Sequence, residues 1–385
     1  MILNTCAFCA APIQTFKTMD CERCETRYCD AHCQRRHWRS GHEKDCPKIA
    51  RAGGAEQFYA KRRCAIAHAM AVRSCEADTA GEICYICRTD GTKEGLVRGC
   101  ACRGSLGAAH LSCLTRQAVL ANEYDPSHTG PWDGAAQWSR WHTCRLCEQN
   151  YHGIVSCALA WRCWATYGRR AFCSDPLRNA AMNWLGVGLL NAERVKEALS
   201  VSQAYLADVR YYFPSDLNQI LNAQEMVSKC YNKLGQHKKA LRMQRDIFER
   251  RLALGHTGIN TMRAAACLAY TLVALGYYRE AKVFAFERHL EAKEVPKCEQ
   301  SCIELQMSFA NATWKDPGAS QDDARNAATL LDMTYRHSRR VLGMLHPATQ
   351  RVRDSFREFI AADVSCTYFM CASRVFLDDC KNLYG

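Results

Sequence analysis

The spacing of apolar residues changes along the chain at about residue 153. From there onward, segments rich in Ala, Leu, Arg and Glu place apolar side chains three and four residues apart, which is the pattern of amphipathic helices. Residues 51–81 share this composition and are predicted to form a helical connector. Residues 180–190 are the most apolar stretch, but they include Asn and Gly and are shorter than the about 20 residues that span a bilayer. We therefore expect no membrane insertion.

The helical half of the chain contains a repeat. Residues 234–240 (LGQHKKA) align with residues 275–281 (LGYYREA), and extending the alignment gives equivalent alanines at intervals of 42, 41 and 43 residues: Ala198, Ala240, Ala281 and Ala324. A fixed period of this size is typical of helical repeat arrays, in which a small residue lets two helices cross closely. The period and the run RRVLGMLHPAT at residues 339–349 resemble the tetratricopeptide repeats of kinesin light chains.

This resemblance implies an all-α array of tetratricopeptide-like repeats over residues 180–385, preceded by a helical linker over residues 153–179. Arrays of this kind bury a continuous core between neighbouring units and leave a concave groove for a peptide or a helix. We therefore expect the array to recruit protein partners. The alternative is that it serves only as a structural spacer.

Cysteine is the unusual component of the sequence: 26 of 385 residues are Cys, and 13 are His. The opening residues show no basic segment followed by an apolar core, so we expect a soluble intracellular protein, cytoplasmic or nuclear. In such a compartment, closely paired Cys bind metal rather than form disulfides. The formal net charge of +12 would fall to about +6 with fourteen thiolates on four Zn²⁺ ions. We therefore do not expect nucleic-acid binding.

The first metal-ligand pattern lies within residues 1–50. Its ligands come in four pairs, with two residues between the members of the first two pairs and three between those of the last two: Cys6 and Cys9, Cys21 and Cys24, Cys29 and Cys33, His42 and Cys46. Such spacings let both members of a pair face one ion, and eight ligands make two tetrahedral zinc sites. So short a segment buries little apolar surface, so zinc must supply its folding energy.

With the run YCDAHCQRRHW at residues 28–38, this pattern resembles the MYND zinc finger. The resemblance implies two interleaved zinc sites: Cys6, Cys9, Cys29 and Cys33 in one, and Cys21, Cys24, His42 and Cys46 in the other. It also implies that the finger binds short, often proline-containing peptides of partner proteins. The alternative is a purely structural zinc module.

A second pattern of eight ligands lies within residues 82–152: Cys84 and Cys87, Cys100 and Cys102, His110 and Cys113, Cys144 and Cys147. With the runs CYIC at 84–87, GCACRGSL at 99–106 and HLSCL at 110–114, it resembles the RING-CH, or RING-variant, finger. The resemblance implies a cross-brace of two zinc sites: Cys84, Cys87, His110 and Cys113 in one, and Cys100, Cys102, Cys144 and Cys147 in the other. The two fingers together would hold four Zn²⁺ ions per chain.

RING-CH fingers are mostly E3 ubiquitin ligases. Such a ligase has no nucleophile of its own, but binds a ubiquitin-charged E2 enzyme and holds the thioester in a reactive conformation. One aliphatic residue between the first two ligands and another after the His-x2-Cys pair usually form the E2 groove. By resemblance, these E2 contacts are Ile86 and Leu114.

Two positions of the second finger depart from the family pattern. Gln117 stands where an aromatic residue usually lies, and Glu148 stands where many active fingers carry a basic residue. The 30 residues between the last two ligand pairs include three tryptophans, one of which could replace the missing aromatic: Trp132, Trp138 and Trp141.

The sequence therefore predicts two zinc-stabilised cross-brace modules followed by a helical-repeat array. The predicted function is that of an E3 ubiquitin ligase that binds E2 through the RING-CH finger and substrates through the repeats and the MYND finger. The alternative is a non-catalytic, zinc-dependent scaffold. Two further cysteine pairs, Cys298/Cys302 and Cys366/Cys371, have no matching second pair in the sequence, and we expect them to be buried or idle thiols.

Overall fold

The computed structural model describes residues 5–11, 13, 19–104, 106–122, 135–168, 176–255 and 257–362. The chain divides into two compact units between Lys233 and Leu234. None of the described helices combines the length and the apolar character needed to cross a membrane.

The first unit begins with short elements around the first cysteine pattern. These are strands β1 (Met19–Asp20) and β2 (Arg27–Tyr28), which pair antiparallel, helix α1 (Ala31–His37), a π-helical turn (Trp38–His42) and helix α2 (Glu43–Arg51). Asp30 caps α1, because its carboxylate accepts a hydrogen bond of 2.7 Å from the backbone N–H of Cys33. Tyr28 and Ile49 are buried among the cysteines and form the small apolar core.

A long helix, α3 (Ala55–Cys75), follows the first finger, as the composition predicts. Its buried face is a stripe of small residues at helical spacing: Ala60, Cys64, Ala67 and Ala71. This face packs against α6 (Gly153–Tyr167), which is buried on almost every side. Helix α6 also contacts two other helices, α4 (Leu111–Asn122) and α7 (Pro176–Asn191). The first part of the segment predicted as a helical linker, residues 153–167, is therefore a buried helix of the first unit.

The second cysteine pattern is built mainly of turns between α3 and α6. Its regular elements are helix α4 (Leu111–Asn122), helix α5 (Ala135–Trp138) and a 3-10 turn (Ser139–Trp141). Isolated backbone bridges, including one between Val97 and Ala109, connect the turns. A module with so little regular structure is expected to depend on metal for its folding.

The remaining helices form the repeat array. In the first unit these are α7 (Pro176–Asn191), α8 (Val195–Tyr212) and α9 (Leu217–Lys233). In the second unit they are α10 (His237–Ala253), α11 (Ile259–Ala274), α12 (Tyr278–Lys293), α13 (Glu299–Lys315), α14 (Gln321–Val341) and α15 (Pro347–Ala362).

The backbone repeats with the period that the sequence predicts. The residues before α8, α10 and α12 share one conformation, with φ of −86°, −85° and −82° and ψ of 56°, 52° and 55°: Arg194, Gln236 and Tyr277. Each follows a residue in the left-handed region: Glu193, Gly235 and Gly276. Three copies of one turn at intervals of 42 and 41 residues confirm the helical repeat array.

The alanines of the predicted repeat lie at the helix crossings. Ala198, Ala240 and Ala281 are fully buried, whereas Ala324 is half-buried. The fourth unit also begins differently, because Ser320 and Asp323 form a capping box at the start of α14 instead of the shared turn. The fourth unit therefore departs from the other three in how its helix starts.

Candidate metal centres

The structure brings all sixteen predicted ligands together in four groups. Within each group, the ligand atoms lie within 4.8 Å of one another. The groups in the first finger are Cys6, Cys9, Cys29 and Cys33, and Cys21, Cys24, His42 and Cys46. The groups in the second finger are Cys84, Cys87, His110 and Cys113, and Cys100, Cys102, Cys144 and Cys147. Each group could hold a metal ion, and the pairs interleave along the chain in both fingers.

Four Cys-x2-Cys pairs share one backbone geometry. The residue after the second cysteine has a left-handed φ between 55° and 63° in every case: Ala10, Glu25, Arg88 and Glu148. Its N–H donates to the carbonyl of the first cysteine at 2.8–3.0 Å. The N–H of that first cysteine in turn donates to the carbonyl five residues on, at 2.8–2.9 Å. This arrangement orients both thiols of a pair toward one point, as a tetrahedral metal ion requires.

In the first finger, His42 completes the second group from a buried position. Its Nε2 lies 3.3 Å from Sγ of Cys24, which the hydroxyl of Thr26 also contacts at 3.0 Å. Burial, together with the nearby imidazole of His37, lowers the pKa of His42. The imidazole is therefore neutral at physiological pH, and the neutral form is the one that binds a metal.

The other aromatic residues of this finger pack around the metal groups. His37 stacks on His42 with ring centroids 4.7 Å apart, and the hydroxyl of Tyr28 lies 3.0 Å from Nδ1 of His37. Trp38 contacts His42 edge to face at 5.8 Å. These residues hold the ligand in place and belong to none of the four groups.

In the second finger, the tautomer of His110 is set by a backbone contact. Its Nε2 lies 2.8 Å from the carbonyl oxygen of Asp90, so Nε2 carries the proton and donates it. The lone pair of Nδ1 then faces the thiols of Cys87 and Cys113, at 3.3 and 3.8 Å. A hydrogen bond from the second ring nitrogen to a carbonyl is typical of histidines that bind metals.

Two glycines let the last group of this finger form. Gly107 has a φ of 82°, and a side chain there would collide with Cβ of Cys102. At Gly99, a Cβ atom would come within 2.6 Å of the side chain of Val155. Gly99 also accepts a backbone hydrogen bond from His152 at 2.8 Å. The finger thus packs directly against the start of α6.

The two predicted E2-contact residues differ in exposure. Ile86 lies between the ligands Cys84 and Cys87 and is half-buried. Leu114 is only 4% exposed, because the face of α4 that carries it packs inward. The E2 contacts of both residues stay predictions. Leu146, between the last two ligands, is exposed and was not singled out by the sequence.

Two of the tryptophans before the last ligand pair, Trp138 and Trp141, lie among the described residues. Trp141 is fully buried, and Trp138 is half-buried. Both pack against Tyr167 of α6, with ring centroids 5.8 and 5.9 Å apart. Trp132 and the pair Cys366/Cys371 lie outside the described residues. Gln117 is half-buried on α4, and the elements that carry Trp138 and Trp141 contact this helix. That one of them replaces the missing aromatic residue stays a prediction.

Comparison with known families identifies both fingers. The MYND finger model matches residues 6–46, and the RING-variant domain model matches residues 84–121. The second match ends before Cys144 and Cys147, which the structure nevertheless brings to Cys100 and Cys102. The chain therefore contains a MYND finger and a RING-variant domain, followed by the helical repeats.

Two solved structures are similar to part of this chain. Both are crystal structures described as nearly identical TPR-like repeats of a putative kinesin light chain from Podosopora anserina, one of them carrying a single substitution. Each is 16% identical to this chain and covers 60% of it and 97% of its own chain, with TM-scores of 0.37 and 0.36. No curated protein matches the chain.

Proposed function

We propose that this protein is a zinc-dependent E3 ubiquitin ligase. In this proposal the RING-variant finger binds a ubiquitin-charged E2, and the helical repeats and the MYND finger recruit protein substrates. The observation that carries the proposal is the second finger itself: two interleaved Cys/His groups with a half-buried aliphatic residue, Ile86, between the first two ligands.

The metal in this proposal is Zn²⁺, with four ions per chain held by the sixteen Cys and His residues of the two fingers. Three or four thiols with at most one imidazole form the donor set that tetrahedral Zn²⁺ prefers. Each group has four ligands, and none leaves a position for substrate, as in structural zinc sites. When bound, zinc would supply folding energy and no catalytic step.

The catalytic contribution of the chain is then one of positioning. The backbone on both sides of Ile86 is held by the ligand pair and by the hydrogen bond from Arg88 N–H to the Cys84 carbonyl at 2.9 Å. A fixed aliphatic side chain at this place offers an anchor for an E2 surface, where a few such contacts carry most of the affinity. The E2 thioester would react within this complex with a substrate amine.

The surface of α12 supports recruitment rather than a spacer role for the array. Val283, Phe286 and Leu290 are exposed and follow each other at intervals of three and four residues, so they form one apolar stripe. A helix that only spaced two modules would be expected to show a polar face here. Exposed apolar residues in a row are typical of a surface that binds a partner.

Ubiquitin discharge from a panel of charged E2 enzymes tests the proposal. With a matching E2, full-length Ile86→Ala should discharge ubiquitin about tenfold more slowly than the wild type, equivalent to about 1.4 kcal/mol. Its zinc content should be unchanged. Ile83→Ala is the matched control, because Ile83 is the same residue type, is exposed and lies just before the first ligand. Equal rates for the wild type and Ile86→Ala would contradict the proposed E2 contact.

The second candidate function is a non-catalytic scaffold, favoured by three features of the second finger. Gln117 replaces the usual aromatic, Glu148 replaces a basic residue, and Leu114 is buried. A wild-type protein that holds its zinc and discharges ubiquitin from none of the E2 enzymes would favour the scaffold.

A further inference from the structure

The second unit contains a cysteine pair for which the sequence offers no partner. Cys298 is the residue before α13, and Cys302 lies in the first turn of that helix. The two are connected by a backbone hydrogen bond of 3.0 Å, and their thiols contact each other. Cys298 is 2% exposed, and Cys302 is half-buried.

Two histidines from other helices share a cavity with this pair. The cavity has a volume of about 410 Å³, and its lining includes His289 of α12, both cysteines and His337 of α14. The second pair of donors thus comes from residues that are distant from the cysteines in the sequence and adjacent to them in the fold.

His289 is the observation that points to a ligand. Its side chain is 8% exposed, and its Nδ1 is buried without a hydrogen-bond partner. A buried polar atom without a partner costs about 1–3 kcal/mol, and a bound ion or an ordered water is a common reason for one in a native structure. The imidazole also interacts with the backbone of Cys302, which places it beside the cysteine pair.

We propose that His289, Cys298, Cys302 and His337 form a metal site in the repeat array, distinct from those of the fingers. Two thiols and two imidazoles are a donor set that suits a soft divalent cation with tetrahedral geometry, above all Zn²⁺. The start of α13 favours negative charge on the two thiols. The charges of Lys293 and Glu299, which also line the cavity, offset each other.

This site differs from those of the fingers in how closely its donors are gathered. In the part of the chain that the structure describes, only the sixteen finger ligands form groups of Cys, His and acidic residues whose ligand atoms all lie within 4.8 Å. Nδ1 of His337 is 3.5 Å from the guanidinium of Arg340, a marginal contact that binding through Nδ1 would replace. A cation must therefore draw the four side chains together, so this site fills after those of the fingers.

Binding here would connect three helices of the second unit. The donors come from α12, from the start of α13 and from α14, which pack in sequence along the array. A cation that binds only the folded array stabilises it by mass action. The array would therefore resist unfolding more strongly when zinc is in supply.

Zinc titration of the full-length protein, followed by native mass spectrometry in a reductant that does not bind zinc, tests this site. The wild type should take up one more ion than a Cys298→Ser/Cys302→Ser variant at the same free zinc concentration. Cys267→Ser, on the neighbouring helix α11 and away from the cavity, is the control and should bind as many ions as the wild type. Circular dichroism establishes that each variant is folded.

His337→Gln gives a second test, because this half-buried residue can be replaced with little effect on the core. In this variant, the midpoint temperature of thermal unfolding of the second unit should rise less with zinc concentration than in the wild type. Uptake of the additional ion should also be weaker. The same number of ions in the wild type and in both cavity variants would overturn the proposal and leave a water-filled cavity. Finger zinc and ubiquitin discharge are measured separately and are unaffected by either result.

Discussion

The backbone N–H of Glu148 donates a hydrogen bond of 3.0 Å to the carbonyl of Cys144, and the φ of Glu148 is 55°. The turn that orients the two thiols of the last ligand pair in the RING-variant finger therefore also fixes the backbone conformation of Glu148. The Glu148 side chain is exposed beside this turn. An acidic group is thus held at the place where a basic one would approach the E2 and its ubiquitin.

We predict that Glu148→Arg raises ubiquitin discharge by about three- to tenfold, equivalent to at most about 1.4 kcal/mol of transition-state stabilisation. The reason is that a basic side chain in this fixed position can donate hydrogen bonds to the charged E2 complex, whereas a carboxylate cannot. The measurement is single-turnover discharge with the full-length protein.

Glu25→Arg is the control for this prediction. Glu25 is exposed, follows the second cysteine of an equivalent pair in the MYND finger and has a φ of 58°. The change of charge is the same, but it lies in the other finger. An increase with both variants would show that net charge, rather than position, determines the rate.

The metal groups were largely predictable because the information is local. The shared turn after Cys9, Cys24, Cys87 and Cys147 involves residues close in sequence, and Cys-x2-Cys spacing encodes it directly. The tautomer of His110 was not predictable, since it depends on the carbonyl of Asp90, twenty residues away.

Burial and cavities depend on contacts between elements that are distant in the sequence. Leu114 matches a family position, but whether it faces outward depends on how α4 packs, which no single motif records. Cys298 of the array is buried, as the sequence predicts, but the histidines that line its cavity, His289 and His337, could not be assigned to it from the sequence because they lie on other helices. The repeat, by contrast, was visible because two of its turns begin with Leu-Gly and an alanine follows each of the three turns at the same distance.

Removal of metal should unfold the two fingers and leave the second unit folded. Chelation is expected to release about four zinc ions from the fingers and to unfold them, since the first finger has only a small apolar core and the second is built mainly of turns. The second unit holds none of the sixteen finger ligands and should keep its helical circular dichroism signal. Limited proteolysis should then cut within residues 1–150 first.

The comparison for the chelation experiment is the zinc-loaded protein under the same protease and temperature. Release of about two ions instead of four would mean that one finger does not bind zinc. Loss of the helical signal from residues 234–362 together with the fingers would contradict independent folding of the second unit.

Replacing a crossing alanine of the array should destabilise it. Ala281 is fully buried and lies within the core formed with Leu272, Leu305 and their neighbours. Ala281→Phe should lower the free energy of unfolding of the full-length protein by about 1–3 kcal/mol, because overpacking forces the helices apart. Ala274→Phe is the control, since Ala274 is exposed at the end of α11. Equal stability of the two variants in chemical denaturation would show that the helix crossing lies elsewhere.

The final prediction addresses the missing aromatic residue. Gln117 is half-buried on α4, one helical turn after Leu114. Trp138 and Trp141 pack against Tyr167. If the groove lacks only an apolar contact, Gln117→Trp should increase E2 affinity and speed discharge, by about tenfold for a well-packed aromatic anchor. Arg116→Trp adds the same side chain to the exposed neighbouring position of α4 and should not do so.

An increase that requires Ile86, tested in the Gln117→Trp/Ile86→Ala double variant, would place both residues in one E2 surface. If Gln117→Trp holds its zinc and still discharges ubiquitin from no E2, the ligase proposal fails and the scaffold function stands.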